Sequence, residues 1–197
     1  VQLNRNKESI SLDIKENKGK EILRKLIKNS DVLIENSRVG TMDKLGFGYK
    51  DVKKINPKVI YCSITGFGTD GPYAKRGGFD LIAQGMSGLM SITGHPDSPP
   101  AKVGVPIADL NTGMFAMQGI LSAYIHRLKN NEGQYLEVSL LESALAYTMY
   151  ESSIYFTTGK ISTPDGSAHR LTAPYQAFKT MDGYINIGAA NQSNWER

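Results

Sequence analysis

Cysteine is nearly absent from this sequence, which has one residue, Cys62, in 197. A single thiol excludes an internal disulfide and a cysteine-based zinc site. Its place in the apolar run KVIYCSIT marks it as a buried strand residue. The three histidines, His95, His126 and His169, are widely spaced and match no zinc-ligand pattern, so no metal is expected. His126, in the last turn of its helix, reads as structural, and His95, beside Pro96, reads as loop. No apolar run reaches about 18 residues and no signal peptide is visible, so no membrane partner is expected. The implied location is cytoplasmic, with mitochondria or another organelle left open. Arginine-rich runs and regular aromatic–basic interleaving are also missing, which argues against nucleic acid despite a net charge of +4. The basic excess gathers in residues 1–60, where KENKGKEILRKLIKNS reads as the solvated face of a helix. An anionic small ligand remains open.

What is present is ordinary globular composition: 40% hydrophobic and 21% charged residues, with 20 glycines and 8 prolines. That suffices for one domain of roughly 100–200 residues and part of another. The chain starts without Met and stops at NQSNWER as a helix begins, so it reads as an internal part of a longer protein. SISLDI reads as a short strand. NKGKEILRKLIKNS reads as a helix with Ile22, Leu23, Leu26 and Ile27 on one face, and DVLIEN as a buried strand. A glycine-bounded turn, a short helix YKDVKKIN and the strand KVIYCSIT follow. This alternation predicts an α/β fold, a Rossmann-like large domain with a parallel, helix-covered sheet. Further on, the pattern predicts a helix over FDLIAQGMSGLMSIT, a Pro-rich loop, and a helix from just after Asp109 to about Lys129. A strand YLEVSL and a helix over LESALAYTMYESSIYFTTG come next. From KISTPDGSAHR the pattern changes, and YQAFKTMDGYINIGA predicts two strands around a Met-Asp-Gly turn. The expected division is a partial large domain over 1–160, then a linker and the start of a smaller α+β domain over 161–197.

Two stretches invite a chemical reading. GFGTDG, with Gly66, Gly68 and Gly71, has the spacing of a dinucleotide fingerprint. That fingerprint must open directly into a helix facing the pyrophosphate, whereas Pro72 and Gly77-Gly78 follow here. No acidic residue stands about 20 residues on to hold a ribose. Nicotinamide binding is therefore not expected. The second stretch, VGVPIADLNTGMFAMQGILSAYIHRL, has one acidic residue, Asp109, where an extended approach gives way to a long apolar helix. Asp is a favoured N-cap, worth about 0.5–2 kcal/mol, and capping alone would explain it. The helix, however, is apolar on most faces, which predicts burial. Gly113 and Gly119 each cost it about 1 kcal/mol in propensity, which suggests close approach to its backbone. A carboxylate at a helix start stays ionised in the field of the oriented N–H groups, so capping and nucleophilic reactivity are compatible.

Four segments carry a resemblance: ENSRVGTMDKLGFGY, INPKVIYCSITGFGTDGPYAKRGGFD, PPAKVGVPIADLNTGMFAMQGILSAYIHR and YQAFKTMDGYINIGAANQSNWER. Together they resemble the class III coenzyme A transferases, the family of formyl-CoA transferase, carnitine CoA-transferase and α-methylacyl-CoA racemase. The match runs over almost the whole chain in one order. The resemblance implies that Asp109 is the nucleophile, passing through an aspartyl–acyl anhydride and an aspartyl–CoA thioester as CoA moves from an acyl-CoA to a carboxylic acid. A carboxylate is already deprotonated at neutral pH, so no adjacent base is required. It also implies CoA contacts at Leu12, Ile14 and Lys15 (LDIK), at Asn36, Ser37 and Arg38 (ENSR), and at Lys44 for a phosphate. Ser37 departs from the family's usual Phe-Arg-Pro, and Lys44 stands where Arg is usual, with a different fork geometry. The RGGFD loop, Arg76, Gly77, Gly78, Phe79 and Asp80, is expected to line the thiol end of CoA. Phe79 stands where the racemases carry a proton-moving His, and it can neither give nor take a proton. His169 or Arg170 is expected to meet the distal carboxylate of a dicarboxylic acid. The family further implies an interlocked homodimer, with CoA or acyl-CoA as substrate and no permanently bound cofactor. A racemase or epimerase of the same family, or a non-catalytic CoA-binding subunit, are the alternatives.

Overall fold

The structure, a computed structural model, describes residues 4–197. The chain separates into two compact units. One ends at Gly77 and adds Met114–Val138; the other comprises Gly78–Gly113 and Ser139–Arg197. The long helix α6, Ile107–Asn130, contributes to both.

The first unit is built on a three-stranded parallel sheet in the order β1-β2-β3. Helix α1 (Asn17–Lys28) precedes β1 (Val32–Glu35). The short helices α2 (Thr41–Leu45) and α3 (Tyr49–Ile55) precede β2 (Ile60–Thr65), and β3 spans Tyr135–Ser139. β1 and β2 run parallel in a register from Val32↔Ile60 to Glu35↔Ser63, and the Tyr61 amide donates to the Gln134 carbonyl at 2.8 Å. The periodicity of α1 places Ile27 in the core beside Phe47, Val52, Val59 and Tyr61, with Leu23 packed against them. Lys25 and Lys28 complement the helix dipole in its last turn. The Asn56 side chain ties α3 to α1 by donating to the carbonyls of Ile27 and Ser30. Arg127 of α6 grips the same layer, giving N–H groups to the Asp31 carbonyl, the Lys58 carbonyl and the Asp31 carboxylate. Cys62 is buried in β2, as its apolar run requires.

The second unit contains α4 (Asp80–Met86), α5 (Leu89–Ile92) and the start of α6. It continues with α7 (Leu140–Leu145), a 3-10 turn and α8 (Met149–Thr158). The antiparallel hairpin β4 (Tyr175–Lys179) and β5 (Tyr184–Gly188) and the helix α9 (Gln192–Glu196) complete it.

The structure departs from the sequence reading at several places, among them β1, which reads as buried but has Ile34 exposed. SISLDI forms no strand; the chain there is irregular and turns before α1. The helix expected over 79–93 is broken at Gly88, whose φ of +85° is left-handed and caps α5. The helix expected over 141–159 is interrupted by the 3-10 turn at Ala146–Thr148. Helix α6 starts at Ile107, so Asp109 lies in its first turn and is not the N-cap. Nor is α6 buried on most faces: Leu110, Met114, Met117, Leu121, Ile125 and Leu128 are between 46% and 70% exposed. Of its two glycines, Gly119 is approached by Leu136 at 3.5 Å, whereas Gly113 meets nothing within 4 Å.

Candidate active site

A helix start leaves backbone N–H groups without intrahelical partners. At α6 they are taken by Asp80, from the first residue of α4. Its Oδ1 accepts from the Ala108 amide at 2.8 Å and from the Asp109 amide at 3.4 Å. Asp80 is held from behind by the fully buried Gln84, one helical turn on, whose Nε2 donates to Oδ2 at 2.7 Å. The Gln84 Oε1 in turn accepts from the Val103 amide at 2.9 Å. Within the turn, Thr112 donates to the Ala108 carbonyl at 2.7 Å, and Asn111 donates to the Ser143 carbonyl at 2.6 Å. The turn is thus fixed on both sides of Asp109 while the Asp109 carboxylate itself has no hydrogen-bond or ion-pair partner among the described residues. Asp109 is exposed. Partial burial first, and the neighbouring Asp80 charge second, raise its pKa above the ordinary carboxylate value. An oriented carboxylate, relieved of capping and made more basic than usual, has the attributes of a nucleophile.

In the first unit, the carboxyl ends of the parallel strands carry the second group of expected residues. That edge is where ligands bind in open α/β sheets. Glu35 ends β1, and Asn36, Ser37 and Arg38 follow it. The Asn36 amide donates to the Ile64 carbonyl at 2.7 Å. The Ser37 amide donates to Glu35 Oε2 at 2.8 Å, and Ser63 Oγ donates to Oε1 at 2.5 Å. Arg38 is exposed, makes no ion pair among the described residues, and lines a cavity of about 360 Å³ with Ser63, Thr69 and Tyr135. Tyr49, Tyr61 and Tyr135 pack their rings at 5.3–6.0 Å along its wall. Burial, then the Glu35 charge, pushes the Tyr61 hydroxyl far above its usual value, so it stays protonated and donates to the Phe47 carbonyl. Lys44 is exposed in α2, and Lys15 is exposed in a turn where its amide donates to Asp13. Leu12 and Ile14 are half-buried. Arg76 lies 4.3 Å over the Tyr73 ring, just before Gly77 ends the unit. Gly78, Phe79 and Asp80 open the second unit, where Phe79 is 75% exposed.

His169 and Arg170 belong to the second unit and differ in availability. Arg170 is occupied by Asp165 at 2.7 Å and by the Thr163 carbonyl at 2.7 Å. His169 accepts the Leu171 amide at Nδ1, which leaves the proton of the neutral ring on Nε2. It lines a cavity of about 950 Å³ with Gln176, Asn191 and Trp195, and no charged side chain lines that cavity.

The sequence reading brought Asp109 and Asp80 to notice but gave Asp80 a different task, and it missed Gln84 and Glu35. Glu35 sits inside the quoted ENSR motif; Gln84 lies in a helix whose apolar neighbours gave no sign of a buried amide. No group of His, Cys, Asp and Glu able to hold a metal occurs among the described residues. No helix there is long and apolar enough to cross a membrane.

Fold and site together define an α/β chain with an exposed carboxylate, Asp109, that has no hydrogen-bond or ion-pair partner among the described residues, and a strand-edge cavity lined by Glu35, Arg38, Asp43 and Lys50. The profile of CoA-transferase family III matches residues 1–197, and the chain belongs to that family. It is 41% identical over 194 residues to the succinate–glutarate CoA-transferase of Agrobacterium fabrum, covering 98% of this chain and 48% of the relative. It is 42% identical over 195 residues to the succinyl-CoA:glutarate CoA-transferase of Mus musculus, covering 99% of this chain and 45% of the relative. The crystal structure of a CAIB/BAIF family protein from Brucella suis superimposes with a TM-score of 0.89 at 42% identity, over 96% of this chain and 50% of that one. The chain spans about half the length of the relatives it matches.

Proposed function

We propose that the full-length protein is a CoA-transferase that moves CoA from an acyl-CoA donor to a carboxylic acid acceptor, with Asp109 as covalent carrier. The observation that carries this reading is the division of labour at α6: Asp80 takes the helix-capping bonds, leaving the Asp109 carboxylate oriented and without a partner among the described residues. The Asp109 oxygen attacks the donor thioester carbonyl, the C–S bond breaks, and CoA leaves as thiolate. The thiolate attacks the aspartyl carbonyl of the mixed anhydride, releasing the donor acid and leaving an aspartyl–CoA thioester. The acceptor carboxylate attacks that thioester, and the released thiolate then attacks the acceptor's acyl carbon, which frees Asp109. Each exchange passes an acyl group between carboxylate and thiolate, so the cycle needs no base, metal or resident cofactor. CoA enters as substrate.

The acceptor class we assign is a dicarboxylic acid. The names of the Agrobacterium and mouse relatives support it. So does the free Nε2–H of His169 in a cavity lined by side chains of the donor-bearing kind. Arg170, held by Asp165, shapes that loop. Leu12, Ile14, Lys15, Asn36, Ser37, Arg38 and Lys44 are assigned to CoA binding, and Arg76, Gly77, Gly78, Phe79 and Asp80 to the thiol end. Phe79, which carries no proton, supports transfer over racemisation. Residues 1–160 are assigned to the large domain and 161–197 to the linker and opening of the small one. The protein is a homodimer in this reading, supported by the exposed apolar stripe of α6.

Full-length protein given succinyl-CoA and a panel of mono- and dicarboxylic acids tests the proposal. Product CoA esters should appear with a five- or six-carbon dicarboxylate and vanish in Asp109→Ala. Undiminished transfer by Asp109→Ala contradicts it, as does α-carbon deuterium wash-in that no acceptor acid affects.

A further inference from the structure

The turn after β1 is tied to β2 by two side chains in succession. Glu35 spends one carboxylate oxygen on the Ser37 amide, at 2.8 Å, and the other on the Ser63 hydroxyl, at 2.5 Å. Asn36 then donates its side-chain amide to the Ile64 carbonyl at 2.7 Å. Ser63 is 5% exposed and belongs to β2, so the anchor for Glu35 is a residue of the sheet interior. The turn therefore leaves the strand at a direction set by the last residue of β1. The residue after Ser37 is Arg38, which lines the 360 Å³ cavity and makes no ion pair among the described residues.

A carboxylate is an unexpected choice at this place. An acid beside an anion site repels the anion unless its charge is taken up locally. Here both oxygens are taken: one by an amide N–H of the turn, the other by a nearly buried hydroxyl. Hydrogen bonds to an ionised acceptor are shorter and stronger than neutral ones, so a carboxylate fixes the Ser37 amide more firmly than a hydroxyl or amide side chain could. The nearby exposed acid of the same strand edge, Glu137, behaves alike, accepting from the Thr69 amide and, at 2.5 Å, from the Thr69 hydroxyl.

We infer that Glu35 is a positioning residue for CoA: by clasping the Ser37 amide to Ser63, it holds Arg38 at the orientation in which the guanidinium meets the ligand. The inference rests on the reading that the Asn36–Arg38 turn binds CoA. Asn36, whose side-chain amide is occupied by Ile64, serves the same turn mainly as its second tie.

The test uses full-length protein and four variants, Glu35→Ala, Glu35→Gln, Ser63→Ala and Arg38→Ala. Three quantities are measured on each: the equilibrium Kd for free CoA, KM and kcat for acyl-CoA, and Tm. Misplacing a binding group by about 1 Å can cost up to about a hundredfold. Glu35→Ala is therefore expected to raise Kd and KM about tenfold or more, with kcat within about twofold. Glu35→Gln should restore most of the loss, because its Oε1 can accept the Ser37 amide while its Nε2 donates to Ser63 Oγ. Ser63→Ala should fall between them. Should Glu35→Ala fail to fold, the ordering of Ser63→Ala and Glu35→Gln against wild type decides the matter. If Arg38→Ala weakens CoA while all Glu35 and Ser63 variants bind CoA normally, the positioning role is overturned and the binding reading stands. If Arg38→Ala itself leaves Kd unchanged, the reading of this turn as a CoA site is what fails.

Discussion

Replacing Asp80 with Asn keeps an oxygen to accept the Ala108 and Asp109 amides and removes one negative charge beside Asp109. Burial and the Asp80 charge both hold the Asp109 pKa above its ordinary value. Removing the second cause lowers that pKa, and the reactive form is the anion. The acid limb of the kcat/KM–pH profile of Asp80→Asn should therefore move to lower pH; a shift to higher pH, or none, contradicts the electrostatic account. Stability follows with the opposite sense. A carboxyl whose folded pKa is raised favours the native state below its unfolded pKa and loses that contribution as pH rises through the folded value. Asp109→Asn should thus melt at or above the wild-type Tm at neutral pH, with the difference shrinking in acid, as read by thermal denaturation. Of these two residues only Asp109 could be singled out from the sequence by its local setting, the one acid in a long apolar stretch. The cap that frees it comes from 28 residues away, and no local pattern signals a partner at that distance.

At the scale of elements, close backbone approach decides more than propensity does. A Cβ on Gly133 would lie 2.0 Å from the Val59 carbonyl oxygen, a contact with main chain that cannot swing aside. Gly133→Ala should destabilise the protein by about 1–3 kcal/mol or more, visible as a lowered Tm, because the chain entering β3 must move off the sheet. An unchanged Tm shows that this packing is looser than described. The helices and strands of the first unit were legible because their apolar periods are local: α1, β1, α3 and β2 fall where Ile22–Ile27, VLIE, YKDVKKI and IYCSIT place them. SISLDI alternates like a strand but finds no pairing partner among the described residues, and a strand without one does not form. The break at Gly88 was missed because a single glycine in an apolar run tells little about whether it will adopt a left-handed φ.

For the whole molecule, the apolar residues of α6 were visible from the sequence and their burial was misjudged. Leu110, Met114, Met117, Leu121, Ile125 and Leu128 recur at three- and four-residue intervals, the spacing of one helix face, and that face is exposed. The sequence alone could not distinguish burial within one chain from burial by another. In the proposed homodimer the stripe is covered by the partner, so Leu121→Glu in the full-length protein should lower the Tm of the dimer. A dimer of unchanged stability in that variant contradicts this assignment of the stripe. Nor could sequence order reveal that one helix would contribute to both compact units, since a continuous apolar period carries no mark where its neighbours change.

The central claim is that Asp109 carries the migrating group covalently. Full-length protein should be mixed with acyl-CoA, quenched, digested and examined by mass spectrometry. The peptide containing Asp109 should gain the mass of CoA less one water, and an acceptor acid should discharge it. Asp109→Asn should show no adduct and lose roughly a thousandfold or more in turnover. Full exchange activity with no modified Asp109 peptide, or an adduct on another residue that Asp109→Asn leaves intact, would contradict the account.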